Sequence, residues 1–341
     1  MTPTLHRCAG RCPPRGLIRL GAARRRIDSY TRHHLMRIIF AGTPEVALPG
    51  LEALLASEHE VVGVLTRDDA PVGRKRILTA SPVAQFAHER GLHVIKSNRI
   101  TSDVESAILD LKPDLGVVIA YGCILPQSTL DLLSHGWINL HFAALPKLRG
   151  AAPAQHDLLD GAEQGSLSVF QIVLELDAGD VFVQESIDYR GDETAGQALA
   201  LLANRGATML VEVVNGIDAG TAEAQPQQGE VTVARKFVRD DGHLDPSQGA
   251  LSTFNRFRAM TPEPGAWFMM GEQVIKVLHA SMPTSHSGLS ISELREVDGH
   301  ILLGCLNGAI ELLEVLPAGK QAMKARDWFR GVRSAGPVYA S

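Results

Sequence analysis

The stretch MRIIFAGTPEVALPGLEALLAS, residues 36–57, decides how this chain is read. Its first seven residues form a short apolar run closed by Gly42. A run with no polar alternation predicts a strand covered on both faces, the kind found at the centre of a parallel sheet. The residues after it carry apolar side chains at spacings of three and four, which predicts a helix with Thr43 as its candidate N-cap. A buried strand followed at once by an amphipathic helix is the repeating unit of a parallel α/β sheet.

The unit recurs downstream. EVVGVLT (60–66) reads as the next strand, and SPVAQFAHERG (81–91) as a helix opened by Pro82 and closed by Gly91. HVIK, VESAILDLK, LGVVIAYG, STLDLLSHG and WINLH then alternate strand and helix up to residue 141. SLSVFQIV and VFVQESID read as further strands, antiparallel at one edge, and residues 194–217 as one long helix. The Gln-rich segment from Gln225 reads as a connection. After it come the helix GALSTFNRFRAM and short strands separated by turn signals, the pattern of a small β-barrel. The expected fold is therefore a Rossmann-like doubly wound parallel sheet followed by a smaller, OB-like C-terminal β-barrel. The expected divisions are an unfolded extension over 1–35, a catalytic domain over 36–222, a linker over 223–235 and a barrel over 236–341.

Composition narrows the chemistry. A chain of 341 residues that is 45% hydrophobic and 21% charged can bury a sizeable core, and no apolar run is long enough to span a bilayer. Four cysteines without paired spacing predict neither a disulfide framework nor a zinc site, and favour a reducing compartment. The net charge of -5 means that a polyanion must be met by local basic patches. Residues 1–35 hold eight arginines against one acid. That stretch reads as an extension, with a transit peptide or a nucleic-acid-binding arm as alternatives.

The first strand-to-helix turn, FAGTPE, holds only Gly42 where a dinucleotide fold carries three glycines, which disfavours a nicotinamide cofactor. The strand WINLH places Asn139 and His141 two residues apart, on one face, at the carboxyl end where open parallel sheets bind ligands. LDAGD (176–180) supplies Asp177 on a glycine turn. Each of the three fits a structural role when taken alone. Together, with no GxSxG and no nucleophile beside His141, they suit attack by an external nucleophile on a bound carbonyl.

INLHFAALPKLRGAAP (138–153), LDAGD and AYGCILP (120–126) resemble, in order, the motifs of the 10-formyltetrahydrofolate-dependent formyltransferases. MRIIFAGTPEVALPGLEALL is similar to that family's first strand and helix, and the resemblance runs from Met36 nearly to the end. It implies catalysis by Asn139, His141 and Asp177, without a metal. It implies a folate site lined by Ala143, Ala144, Leu145 and Pro146 and by Ala120, Tyr121, Gly122, Ile124 and Leu125. GRKRILTASPV (73–83) and LLEVLPAGKQAMKARDWFRG (312–331) resemble segments of members that act on initiator methionyl-tRNA. Arg74, Lys75, Arg76, Lys320, Lys324 and Arg326 are the implied tRNA contacts, the last three on a stretch that reads as helix-like. The implied protein is a cytoplasmic monomer that uses 10-formyltetrahydrofolate; it is organellar instead if residues 1–35 are a transit peptide. A UDP-amino-sugar formyltransferase and a non-catalytic folate- or tRNA-binding protein are the alternatives. The sequence departs from the family at Ala143 and Ala144, which replace Ser and Leu, at Gly165-Ser166, which replaces Thr-Gly, and at DDAPVG in the basic loop.

Overall fold

The computed structural model describes residues 35–73, 75–283, 288–332 and 337–341. The extension read over residues 1–35 lies outside this range except for Leu35, and so does Arg74.

The alternation read from the sequence builds one seven-stranded sheet. In chain order the elements are β1 (Arg37–Gly42), α1 (Leu48–Ala56), β2 (Glu60–Thr66), the small hairpin β3 (Ala70–Val72) and β4 (Ile77–Thr79), α2 (Pro82–Glu89) and β5 (Val94–Lys96). They continue with α3 (Ser102–Asp110), β6 (Leu115–Ile119), α4 (Gln127–Leu130), β7 (Trp137–His141), β8 (Arg149–Gly150), α5 (Pro153–Leu159), β9 (Gln164–Gln171), β10 (Val181–Asp188) and α6 (Ala195–Asp218). The sheet order is β10-β9-β7-β6-β1-β2-β5. The pairs from β7 through β5 are parallel, and β9 and β10 run antiparallel at the edge.

β1 shows why its sequence is apolar from Ile38 onward. Ile38 and Phe40 enter the core that holds Leu51 and Leu54 of α1 and Leu202 and Met209 of α6. Ile39 and Ala41 enter the opposite core with Ile108 of α3 and Trp137. A period-two strand between two helical layers needs apolar residues at every position.

Some local expectations change. Thr43 does not cap α1, whose N-cap is Ala47 after a short 3-10 turn over Glu45–Ala47. The Thr43 hydroxyl instead donates to the Tyr121 carbonyl at 2.8 Å and ties the first turn to the β6 loop. α4 is a single turn, much shorter than STLDLLSHG suggests. Gly165 leaves β9 unbroken. It pairs with Ile187, and a Cβ there would run into the Tyr189 hydroxyl, so close packing requires the glycine.

The second part contains β11 (Val233–Ala234), α7 (Ala250–Met260), β12 (Ala266–Met270), β13 (Gln273–Ser281), β14 (Glu293–Val297), β15 (His300–Cys305), β16 (Gly308–Pro317), β17 (Met323–Lys324), α8 (Ala325–Arg330) and β18 (Val338–Tyr339). Its antiparallel sheet, in the order β12-β13-β16-β15-β14-β18, is a curled half-barrel. Met269 of β12 and Ser341 exchange two backbone hydrogen bonds, bringing the chain after β18 to the opposite edge. Residues of α5 and α6, including Leu158 and Ala198, lie in one core with Phe254, Phe257 and the inner face of this sheet. At this seam Gln155 donates to the carbonyls of Ala259 and Glu263, and burial pushes the Asp157 carboxyl up to about 6. No helix among the described residues is long and apolar enough to cross a membrane.

Candidate active site

The carboxyl end of β7 delivers Asn139 and His141 side by side, as the alternation of a strand requires. Asn139 is half-buried, and its Oδ1 is sealed without a partner among the described residues. A buried amide oxygen left unpaired is uncommon in a residue kept for packing.

His141 is buried, with 5% of its surface exposed. Its Nε2 lies 3.0 Å from the carbonyl of Leu148, and the edge-on ring of Phe170 walls one side. Its Nδ1 faces Asp177 Oδ2 at 3.8 Å, too far for a hydrogen bond. Burial lowers the His141 pKa from the ordinary value, with the Asp177 charge opposing. Burial thus favours the neutral imidazole. A carbonyl only accepts, so the proton sits on Nε2 and the lone pair on Nδ1.

The segment after β7 is bent to bring these groups together. Leu148 and Asp177 both take left-handed backbone angles, φ 57° and 48°. A side chain in that region costs about 1–2 kcal/mol, so neighbouring bonds must hold it. The Leu148 carbonyl is held by His141, and Asp177 Oδ2 accepts the Gly150 N–H at 2.7 Å. Gly150 itself has φ 117°, and a Cβ there would sit 2.7 Å from the Ala234 carbonyl.

Ala143, Leu145 and Pro146 are buried and Ala144 is half-buried, in the turn just beyond His141. The buried Ser168 hydroxyl donates to the Ala143 carbonyl at 2.6 Å and accepts the Leu145 N–H at 3.2 Å. It braces the turn from the neighbouring strand, a role the sequence reading did not find. The β6 loop divides. Tyr121 and Leu125 point into the core, so only their backbones can meet a ligand, whereas Ala120, Gly122 and Ile124 are exposed. Gly122 and Ile124 line a cleft of about 470 Å³ together with Arg67, Asn98 and Arg99. Neither this cleft nor a larger depression of about 620 Å³ between Arg190 and His279 is lined by Asn139, His141 or Asp177; convergent polar chemistry, not volume, marks the site.

The basic residues fall in two places. Lys75 and Arg76 sit on the exposed turn between β3 and β4, flanked by exposed Val72 and Ile77. Lys320 lies in the turn after β16 and Lys324 ends β17, so neither is on the helix that the sequence suggested; α8 begins only at Ala325. Arg326 pairs with Glu296 at 3.4 Å. Among the described residues no group of three or more His, Cys, Asp or Glu side chains is placed to hold a metal ion.

Comparison with known proteins places this geometry. The formyl transferase family matches residues 36–214, and the formyl transferase C-terminal domain matches residues 236–333. The chain is 44% identical over 297 residues to a methionyl-tRNA formyltransferase of Renibacterium salmoninarum, covering 87% of this chain and 97% of that protein. It is 47% identical over 296 residues to one of Leifsonia xyli subsp. xyli, with the same two coverages. Among solved structures, a Helicobacter canadensis N-formyltransferase in complex with folinic acid and dTDP-3-aminofucose shares the fold. It has a TM-score of 0.62, 17% identity, and coverage of 82% of this chain and 99% of that one. A methionyl-tRNA formyltransferase from Clostridium thermocellum also shares it, with a TM-score of 0.52, 16% identity, and coverage of 74% and 96%.

Proposed function

The chain belongs to the formyl transferase family, and from that premise we propose that it moves the formyl group of 10-formyltetrahydrofolate onto the α-amino group of methionyl initiator tRNA. The choice of acceptor rests on the methionyl-tRNA formyltransferases that are 42–47% identical over nearly their whole length. The observation that carries the chemistry is the buried His141, with Nδ1 directed at Asp177 and the unpaired Asn139 beside it.

The residues present suit a folate. Asn139 holds an unpaired buried oxygen, and Gly122 and Ile124 of the β6 loop line a cleft large enough for a flat, drug-sized ligand. When bound, the folate supplies an electrophilic formyl carbon and N10 as leaving group. The amine nitrogen forms the new N–C bond, and the bond to N10 breaks. A free α-amine has a pKa of about 8, so losing its proton near neutral pH is a small step. Nδ1 of His141 takes that proton, Asp177 stabilises the resulting imidazolium, and the proton then passes to N10. Asn139 donates from its amide to the oxygen that becomes negative in between. Because Nε2–H is held by Leu148, His141 starts as a base and becomes an acid only after the amine has been deprotonated. Lys75, Arg76, Lys320, Lys324 and Arg326 supply phosphate contacts, which fix position rather than sequence. Arg74, outside the described residues, belongs to the same proposal on its motif alone.

The test is formyl transfer from 10-formyltetrahydrofolate to charged initiator tRNA, run beside a nucleotide-linked amino sugar. Formylmethionyl-tRNA is the expected product. Transfer to the sugar alone would leave the His141 chemistry in place and overturn the acceptor.

A further inference from the structure

The segment between the two sheets makes contacts that a simple tether does not need. Between residues 225 and 234 only Gln227, Thr232 and Ala234 are not exposed, and all three face the loop that shapes the site. Thr232 Oγ1 accepts the Leu148 N–H at 2.8 Å, while the Leu148 carbonyl meets His141 Nε2 at 3.0 Å. The left-handed Leu148 is thus held at both of its polar backbone groups. β11 pairs in parallel with β8, and the N–H groups of Arg149 and Ala151 donate to the Thr232 and Ala234 carbonyls. Gln227 Nε2 donates to the carbonyls of Asp177 at 2.7 Å and Gly179 at 2.8 Å, pinning the second left-handed residue. Gln227 Oε1 is in turn gripped by Arg149 through Nη2 at 2.8 Å and Nε at 3.2 Å, and the third guanidinium nitrogen pairs with Glu175.

We propose that residues 225–234 form a strap that sets the geometry of the active site, with Thr232 positioning His141 through Leu148 and Gln227 positioning Asp177. Neither side chain touches the reacting atoms; each acts through a strained backbone residue that relaxes when its hydrogen bond is removed. The inference rests on the reading of His141 and Asp177 as the catalytic pair. A displacement of about 1 Å in such a pair costs on the order of a hundredfold in rate. The loss belongs in kcat, because the hydrogen bonds of Thr232 and Gln227 go to Leu148, Asp177, Gly179 and Arg149, none of which belongs to the proposed folate lining.

The experiment compares wild type, His141→Ala, Thr232→Val, Thr232→Ser and Gln227→Ala in formyl transfer to charged initiator tRNA, with kcat and both KM values measured. Valine keeps the shape of Thr232 and removes only the acceptor; serine keeps the acceptor. The expected result is a kcat lower by on the order of a hundredfold in Thr232→Val and Gln227→Ala, with both KM values within about threefold of wild type, and recovery in Thr232→Ser. Wild-type kcat in Thr232→Val, a loss confined to KM, or no recovery with serine overturns the strap. Absence of transfer by wild type, or full transfer by His141→Ala, overturns the catalytic reading and the strap with it. An active wild type, an inactive His141→Ala and a fast Thr232→Val overturn the strap alone.

Discussion

Ser168→Ala tests whether the turn beyond His141 is held from the neighbouring strand. Ser168 is completely buried and its hydroxyl makes three hydrogen bonds. It donates to Ala143 O at 2.6 Å, and accepts from Leu145 N at 3.2 Å and from Gln184 Nε2 at 3.1 Å. Gln184 keeps a second partner, the Leu145 carbonyl, so its loss is small. The Leu145 N–H and the Ala143 carbonyl are left unpaired away from water, and such a group costs about 1–3 kcal/mol. The two together imply about 2–4 kcal/mol, less than the sum of the upper values because the turn can shift. For a compact unit of about 300 residues that corresponds to a fall in Tm of about 3–6 °C. Thermal unfolding followed by circular dichroism measures it directly. The same variant is expected to raise KM for the folate, because Ala143–Pro146 is the proposed lining. A Tm within about 2 °C of wild type would refute the reasoning, since it would show that both backbone groups find other partners.

His141→Ala is expected to abolish formyl transfer while leaving the far-ultraviolet spectrum unchanged; a retained rate would remove His141 from the mechanism. Because burial favours the neutral imidazole, the acid limb of kcat/KM falls below the ordinary histidine range. In Asp177→Asn the charge that favours the protonated ring is gone, so the limb moves further to acid; a shift to higher pH contradicts the assignment. Asp157 works in the other direction on stability: its carboxyl is raised to about 6 from 3.8, so the folded chain binds more protons than the unfolded chain between those values. Its contribution falls as pH rises through that window, and Asp157→Asn should flatten this part of the Tm–pH profile, which an unchanged profile would disprove. Replacing Lys75 and Arg76 by glutamate should weaken tRNA binding and reduce the salt slope by roughly one for each phosphate no longer neutralised, with folate affinity unchanged.

Much of the site is legible in the residue order. Asn139 and His141 share a face because strand geometry has a period of two, and the apolar run of WINLH announces the strand. The β1 run and the glycine-punctuated helices announce the parallel sheet for the same local reason. The end of the chain is less legible. Basic residues from Lys320 to Arg326 suggest one helix, yet Gly319 takes a positive φ and Lys324 pairs in β17, so pairing with β16 overrides helical spacing there. The cap at Thr43 fails similarly, because its hydroxyl finds a partner, Tyr121, 78 residues away.

What the sequence determined alone was therefore periodic or contiguous: strands, helices, the pair on β7, the turn that carries Asp177. What only the tertiary structure decided was the partnership among residues far apart in the chain. Ser168 under the Ala143–Pro146 turn, and Thr232 and Gln227 over Leu148 and Asp177, are ordinary polar residues in their own surroundings, and the Gln-rich stretch reads as a connection. Their roles arise from hydrogen bonds to backbone groups, which every residue carries alike. Such bonds leave no pattern in the order of side chains and become visible only once the chain has folded back on itself.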